Sequence, residues 1–319
     1  MELWAYGAVN IFGIISGYVG FSEKEKKFNY ANYLTMWLQV VVYGVGVTVV
    51  YWFIDPELVT RKELWKMFFP VTNDLYWYFS AYTGLVFLIP LLNAGVRSCS
   101  RESLAKMFIA LCLLFSVSGA VADRFELGRG YSLIWLVALY LLGAIMRKCG
   151  IGQKIPAAAA FGGIVVCCLI SWQWKLNGEP FTIFDIKVGK GLLVNYLGIT
   201  HVIAAVLHVI AFSKLRFHPV LQKLIAFAAP GAFAVYLLNN QIHIWRNVMT
   251  GKFAHLAAAS PVHILIRVTA FAFSFVVMAV VIDWVRQKVF AALRVKEAAA
   301  FATDAFDRFL DRCVGKLLP

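Results

Sequence analysis

The sequence has few charged residues, and acidic ones are the scarcer kind. Only 15% of its 319 residues are charged, whereas 61% are hydrophobic. Soluble globular domains are usually nearer about 25% charged and about 45–50% apolar, so a soluble protein is excluded. Lysine and arginine outnumber aspartate and glutamate by 30 to 17, and in a membrane protein this balance indicates cationic cytoplasmic loops. No basic run with interleaved aromatic residues suggests a nucleic-acid groove, so we expect no nucleic-acid partner.

The sequence is also poor in cysteine and lacks the common catalytic and metal-binding patterns. Its six cysteines form no CxxC pair, which argues against a disulfide framework and against a zinc site. The spacings of a Ser/His/Asp site, of HExxH and of a phosphate-cradling glycine loop do not occur. The first residues lack the basic region of a cleavable signal peptide. Because the sequence shows no metal-ligand spacing, we expect no bound metal.

Long apolar runs dominate the chain and predict membrane-spanning helices. They are about 18–23 residues long, enough to cross a bilayer core, and do not alternate as barrel strands would. We predict an all-α polytopic bundle over 1–293 and a tail over 294–319 that forms an amphipathic helix. The nine predicted spans are approximately 4–22, 31–54, 75–94, 105–122, 131–147, 157–174, 191–213, 224–245 and 264–285.

The distribution of lysine and arginine predicts the orientation of the chain. More of these residues fall on the side of the tail than on the other side, and the positive-inside rule places that side in the cytoplasm. Because nine is an odd number, the N-terminus would then face outside. Few residues precede the first span, so we expect that a preceding helix is absent from this chain.

The range Tyr76–Asn93 opens with three consecutive aromatic residues and then runs apolar and uncharged to Pro90. Aromatic residues gather at the membrane interface, and a proline frees a carbonyl that Asn93 can bind. One interpretation is a kinked structural helix that begins in an aromatic belt. The alternative is that Trp77 and Tyr82 line an outward-facing cavity, where aromatic faces suit sugar rings.

Small residues line the first predicted span. Gly13 and Gly17 are four apart, which allows another helix to approach closely, and the Ser16 hydroxyl can bond across such a contact. Tight helix packing explains this pattern. The functional alternative is a narrow slot beside a substrate path.

Histidines occur in two settings that bear on function. His201 and His208 share a helix face without a carboxylate one turn away, so structural roles suit them best. A second group ends the eighth predicted span and is either a cavity lining or an ordinary wet helix end. It comprises Asn239, Asn240, Gln241, His243 and Arg246.

Six short motifs follow one another along the chain. They are Val9–Tyr18, Met36–Tyr43, Phe68–Pro70, Tyr76–Asn93, Gly130–Gly143 and Val235–Leu238. Each motif alone is weak, but their order and spacing over about 9–290 resemble the acyltransferase 3 family, in its surface-polysaccharide branch. These are integral membrane acyltransferases.

The resemblance implies a ten-helix membrane enzyme of the bacterial inner membrane, with its C-terminus in the cytoplasm. Such an enzyme takes an acyl group, usually acetyl from acetyl-CoA or another acyl-CoA, and transfers it to a hydroxyl of a cell-surface glycan or lipid-linked sugar. Membrane lipid is the other expected partner. The family's proposed catalytic histidine lies on a first helix without a counterpart here, and many relatives have histidine where this chain has Asn239. The alternatives are therefore an inert paralogue and a transporter-like protein with the same cavity.

The chemistry of acyl transfer assigns candidate roles. A sugar hydroxyl needs a general base and a thioester needs oxyanion stabilisation, so Ser16 and His243 are the catalytic candidates, with His243 replacing the absent base. The lysines Lys24, Lys26 and Lys27 are predicted to attract the phosphates of the acyl-CoA. The predicted substrate-binding residues are Asn10, Tyr18, Trp77, Tyr82, Asn93, Tyr131, Trp135, Asn239 and Arg246.

Overall fold

The computed structural model describes residues 6–25, 30–123, 125–183 and 185–317. Within these ranges the regular secondary structure is helical apart from one pair of short antiparallel strands, so the predicted all-α class is confirmed. Lys26 and Lys27, two of the predicted cofactor-binding residues, lie outside the described ranges.

Within the described ranges, the α-helices are separated by turns and by short 3₁₀ or π segments. The first seven are α1 (Gly7–Gly20), α2 (Tyr30–Ile54), α3 (Arg61–Met67), α4 (Trp77–Ser98), α5 (Arg101–Leu113), α6 (Gly119–Ala122) and α7 (Leu133–Cys149). After α8 (Ala157–Asn177), β1 (Phe181–Ile183) pairs with β2 (Ile186–Val188). The remaining helices are α9 (Ile199–Lys214), α10 (Pro219–Ala228), α11 (Ala232–Asn240), α12 (Ile242–Ile244), α13 (Pro261–Ala292) and α14 (Val295–Leu317).

Among the described residues, five helical segments are long and apolar enough to cross a membrane. They are Tyr30–Ile54, Trp77–Ser98, Ala157–Asn177, Pro219–Asn240 and Pro261–Ala292. The shorter apolar helices α1 and α9 fall within two further predicted spans. Helix is present in each of the nine predicted ranges, and the number that crosses the membrane stays a prediction.

Two predicted span boundaries were wrong. The predicted span 191–213 becomes helical only at Ile199, because turns occupy the residues before it. The predicted span 224–245 ends at Asn240, since Gln241 has an extended backbone with a ψ of 129°. The chain therefore leaves the helix before His243.

The chain forms two compact units. The first consists of Met1–Phe28 and Ala81–Arg216, and the second of Asn29–Ser80 and Phe217–Pro319. This division follows the packing of the helices, and the predicted boundary between 293 and 294 stays a prediction.

Helices α1 and α7 of the first unit pack backbone against backbone. A Cβ atom added to Gly17 would lie 1.9 Å from the carbonyl oxygen of Tyr140, and one added to Gly143 would lie 1.9 Å from that of Ile14. Only glycine allows this approach. The close helix contact predicted from the small residues of the first span is therefore confirmed.

The core of the second unit joins α2, the start of α4, α11 and α13. Its buried residues include Val40, Phe79, Leu237 and Phe275. The predicted C-terminal helix is present as α14, which contacts α2 and α13. Phe301 of α14 is 72% exposed, so part of its apolar surface is left uncovered by the described residues.

Candidate functional site

His243 lies in the short helix α12, directly after the break at Gln241. The Gln241 side chain sets the start of this helix, because its Oε1 accepts hydrogen bonds from the backbone N–H groups of His243, at 2.7 Å, and Ile244, at 3.2 Å. Its Nε2 donates to Oγ1 of Thr48 at 3.2 Å. Gln241 therefore caps α12 and holds it against α2.

The imidazole of His243 is buried, and one of its ring nitrogens is left unsatisfied. The residue is 1% exposed, and its ring stacks on that of Tyr51 with the centroids 5.3 Å apart. Its Nε2 is buried without a hydrogen-bond partner among the described residues. A buried nitrogen of this kind costs stability and calls for an explanation, such as a catalytic role.

An ion pair lies close to His243. Nη1 of Arg246 donates to Oε1 of Glu63 at 3.3 Å. The carboxylate is further held by Thr60, whose backbone N–H and hydroxyl donate to Oε2 at 2.9 and 3.0 Å. This capping box begins α3 and positions Glu63. The interactions with Thr60 and Arg246 lower the pKa of Glu63, so its carboxylate is ionised at neutral pH.

The same residues determine the charge of His243, which lies beyond the span that ends at Asn240. Burial is the main cause that lowers the pKa of His243; nearby Arg246 also lowers it, whereas Glu63 raises it. The imidazole is therefore neutral at neutral pH. A neutral imidazole with a free nitrogen can accept a proton, and a nearby carboxylate stabilises the imidazolium that results.

A second polar network in this unit surrounds Asp283 of α13. Asp283 is fully buried and accepts hydrogen bonds from Gln39 and Tyr43 of α2, both at 3.0 Å. Arg286 donates through Nε and Nη2 at 2.8–3.0 Å, and Gln287 donates at 2.7 Å. This network was not predicted from the sequence. Its signal was an acid within an apolar span with an arginine three residues later.

Two predicted substrate-binding residues of the first unit bind each other. Nε1 of Trp135 donates to Oδ1 of Asn10 at 3.1 Å, and Nδ2 of Asn10 donates to the carbonyl oxygen of Tyr196 at 2.7 Å. Asn10 is 0% and Trp135 is 1% exposed. Their polar groups therefore connect α1 to α7, and their predicted role toward a substrate stays a prediction.

Asn93 connects three helices of the first unit. It donates to the carbonyl oxygen of Gly20 at 3.4 Å and accepts a hydrogen bond from the Tyr140 hydroxyl at 3.0 Å. The sequence allowed Asn93 to cap or bond to the carbonyl freed by Pro90, whereas its side-chain partners in the structure lie on α1 and α7.

The other predicted residues of α1 lie near its C-terminal half. The hydroxyl of Ser16 donates to the carbonyl oxygen of Phe12 at 2.8 Å, so it bonds within its own helix; its predicted catalytic role stays a prediction. The guanidinium of Arg147 lies over the ring of Tyr18, 5.3 Å from its centroid. Tyr18 also borders a cavity of about 300 Å³ together with Gln153 and Lys214. Lys24 is exposed beyond the end of α1.

The remaining predicted aromatic residues have less buried positions. Tyr131 is 51% exposed and packs edge-on against Tyr196, with centroids 5.1 Å apart. Trp77 begins α4 and packs edge-on against Tyr78. Tyr82 is half-buried in the same helix.

Asn239 is half-buried near the end of α11. The structure thus brings together two sets of predicted residues, Asn10 with Trp135 in one unit and His243 with Arg246, through Glu63, in the other. Among the described residues, no three His, Cys, Asp or Glu side chains form a group that could hold a metal ion.

Comparison with known proteins adds one match. Residues 2–285 match the acyltransferase 3 family model, which is described as an acyltransferase domain. The match includes α1 and most of α13. Neither a curated protein nor a solved structure matches the chain.

Proposed function

The chain belongs to the acyltransferase 3 family, and on that premise we propose that it is a membrane-bound O-acyltransferase. Its proposed donor is acetyl-CoA or another acyl-CoA, and its proposed acceptor is a hydroxyl of a cell-surface glycan or lipid-linked sugar. The family match supports a membrane acyltransferase in general. The donor and acceptor classes are supported by the resemblance of the six sequence motifs.

The observation that supports a role for a particular residue is the buried Nε2 of His243, which has no hydrogen-bond partner among the described residues. In the proposed reaction this nitrogen takes the proton of the acceptor hydroxyl, whose oxygen forms a bond to the acyl carbon. The carbon–sulfur bond of the thioester breaks, and the imidazolium returns the proton to the departing thiolate. Glu63 stabilises the imidazolium in between. His243 is thereby proposed as the general base of this chain.

The donor is proposed to approach the end of α1. Lys24 is exposed there, and a lysine ammonium attracts phosphate groups. The polar cavity beside Tyr18 lies in the same unit and offers an aromatic ring already stacked by Arg147. We propose the bacterial inner membrane as the location, with the C-terminus in the cytoplasm.

The test follows labelled acetyl groups from acetyl-CoA into glycan, in membranes that contain the full chain. We expect incorporation by the wild type and a loss of about 100-fold or more in His243→Gln, since general bases contribute about 10²–10⁴-fold. His208→Gln is the matched control, because its Nδ1 contacts only the carbonyl oxygen of Ala204 in its own helix.

Two outcomes would contradict different parts of the proposal. Absence of label from glycan in the wild type, with the protein present and folded, would refute the transferase activity. Full activity of His243→Gln would refute the role of His243 and leave the transferase activity standing.

A further inference from the structure

Helices α2 and α13 of the second unit enclose an apolar cavity of about 1030 Å³. Along α13 and the residue that follows it, the lining extends from Phe271 to Leu293, which is roughly 33 Å at about 1.5 Å per residue. That length is close to the roughly 30 Å hydrocarbon core of a bilayer. The volume lies at the upper end of the roughly 300–1,000 Å³ typical of ligand pockets.

The cavity is open along its side. Val42 is 44% and Val289 is 48% exposed although both line it. In a helix of this apolarity such side chains face hydrocarbon rather than water. The cavity is therefore a groove that a molecule in the bilayer can enter sideways.

Arg286 is the one charged residue among the described residues that line the groove. Its Nε and Nη2 bind the carboxylate of Asp283, and Asp283 is fixed in turn by Gln39 and Tyr43. Nη1 of Arg286 forms no hydrogen bond with a described residue. The guanidinium of Arg286 is thus held in place by Asp283, and the N–H groups of Nη1 are available to a ligand in the groove.

We propose that this groove holds a phosphate-bearing membrane lipid. Its hydrocarbon chain lies along α2 and α13, and a phosphate oxygen accepts a hydrogen bond from Arg286, whose guanidinium suits phosphate. Basic residues near the same end of α13, Lys288, Arg294 and Lys296, add attraction for an anionic head group. A nucleotide-bearing donor fits less well, because the lining offers few polar partners for a base and a sugar.

Gly46 provides a direct test. It lines the groove, and a Cβ atom added to it would meet nothing within 4 Å. The first side-chain atom at this position is therefore unobstructed, and Gly46→Phe places an aromatic ring in the groove. Gly162→Phe is the matched control, since Gly162 lies within the long helix α8, has equally open surroundings and is not part of the groove.

The measurement is binding of dodecyl phosphate to the purified full chain in a non-ionic detergent that carries no phosphate, followed by calorimetry. We expect Gly46→Phe to weaken binding about tenfold or more, and Gly162→Phe to bind like the wild type. We expect the double variant Asp283→Asn/Arg286→Gln to weaken it by a similar factor, since it removes both charges together and leaves no buried charge unpaired. Dodecanol and inorganic phosphate should each bind more weakly than dodecyl phosphate.

Three results would overturn the proposal. The first is wild-type binding by Gly46→Phe, and the second is dodecanol binding as tight as that of dodecyl phosphate. The third is a photo-crosslinking side chain at position 46 that captures a polypeptide in place of lipid. The proposal rests on the membrane location and not on acyl transfer, so a failure of the transfer assay leaves it standing.

Discussion

At the scale of single residues, the two charged neighbours of His243 shift its pKa in opposite directions. Burial holds its pKa below the ordinary 6.5, while Glu63 raises it and Arg246 lowers it. Glu63→Gln removes the raising influence, so the pKa falls further and the imidazole stays neutral to lower pH. Arg246→Gln removes a lowering influence and leaves Glu63 unpaired, so the pKa rises. The measurement is the imidazole resonance of His243 by NMR as a function of pH.

The same titration has a kinetic consequence. If neutral His243 is the base, the rate of transfer falls as the pH drops through the pKa of His243, and this limb should lie below pH 6.5. We expect the limb to shift to lower pH in Glu63→Gln and to higher pH in Arg246→Gln. Shifts of the same sign in both variants would contradict the electrostatic assignment.

Asn10 and Ser16 are predicted to differ in their effect on stability. Asn10→Ala leaves buried Nε1 of Trp135 and the carbonyl oxygen of Tyr196 without their partner, which costs about 1–3 kcal/mol of unfolding free energy. Ser16→Ala removes only a bond within α1 and should change stability by less than about 0.5 kcal/mol. Chemical unfolding in detergent measures both. Equal stability of the two variants would contradict the structural role of Asn10.

At the scale of helices, the contact between α1 and α7 depends on glycine. Gly143→Ala would place a Cβ atom 1.9 Å from a backbone oxygen of Ile14, so the helices must separate, at a cost of about 1–3 kcal/mol. Gly162→Ala meets no atom within 4 Å and should be neutral or slightly stabilising, because alanine favours helix. Thermal unfolding distinguishes them, and a Gly143→Ala protein as stable as the wild type would contradict the contact.

The helical elements also show what the sequence alone could predict. The length of the apolar runs predicted a helix in each of the nine ranges. The spacing of Gly13 and Gly17 predicted the close helix contact. Both could be predicted because they are local patterns in the sequence. The end of α11 depends on Gln241, whose side chain caps α12 and reaches Thr48 far away in the chain. The partners of Asp283 on α2 are equally distant. Contacts of this kind leave no local spacing to recognise.

At the scale of the whole molecule, the charge distribution predicts how the chain crosses the membrane. The net charge is +13, and the excess of lysine and arginine toward the tail predicts a cytoplasmic C-terminus. Nine crossings would then place the N-terminus on the opposite side. An even number, which arises if one of the shorter helices does not cross, would place both termini together.

Fluorescent-protein and alkaline phosphatase fusions at each terminus decide between these counts. We expect a C-terminal fluorescent protein to mature and a C-terminal phosphatase to stay inactive, because folding of the first requires the cytoplasm and activity of the second requires the outside. For nine crossings the N-terminal fusions should behave in the opposite way. Cytoplasmic behaviour at both ends would refute nine crossings, and the shorter apolar helices α1 and α9 would then be the first candidates for a segment that does not cross.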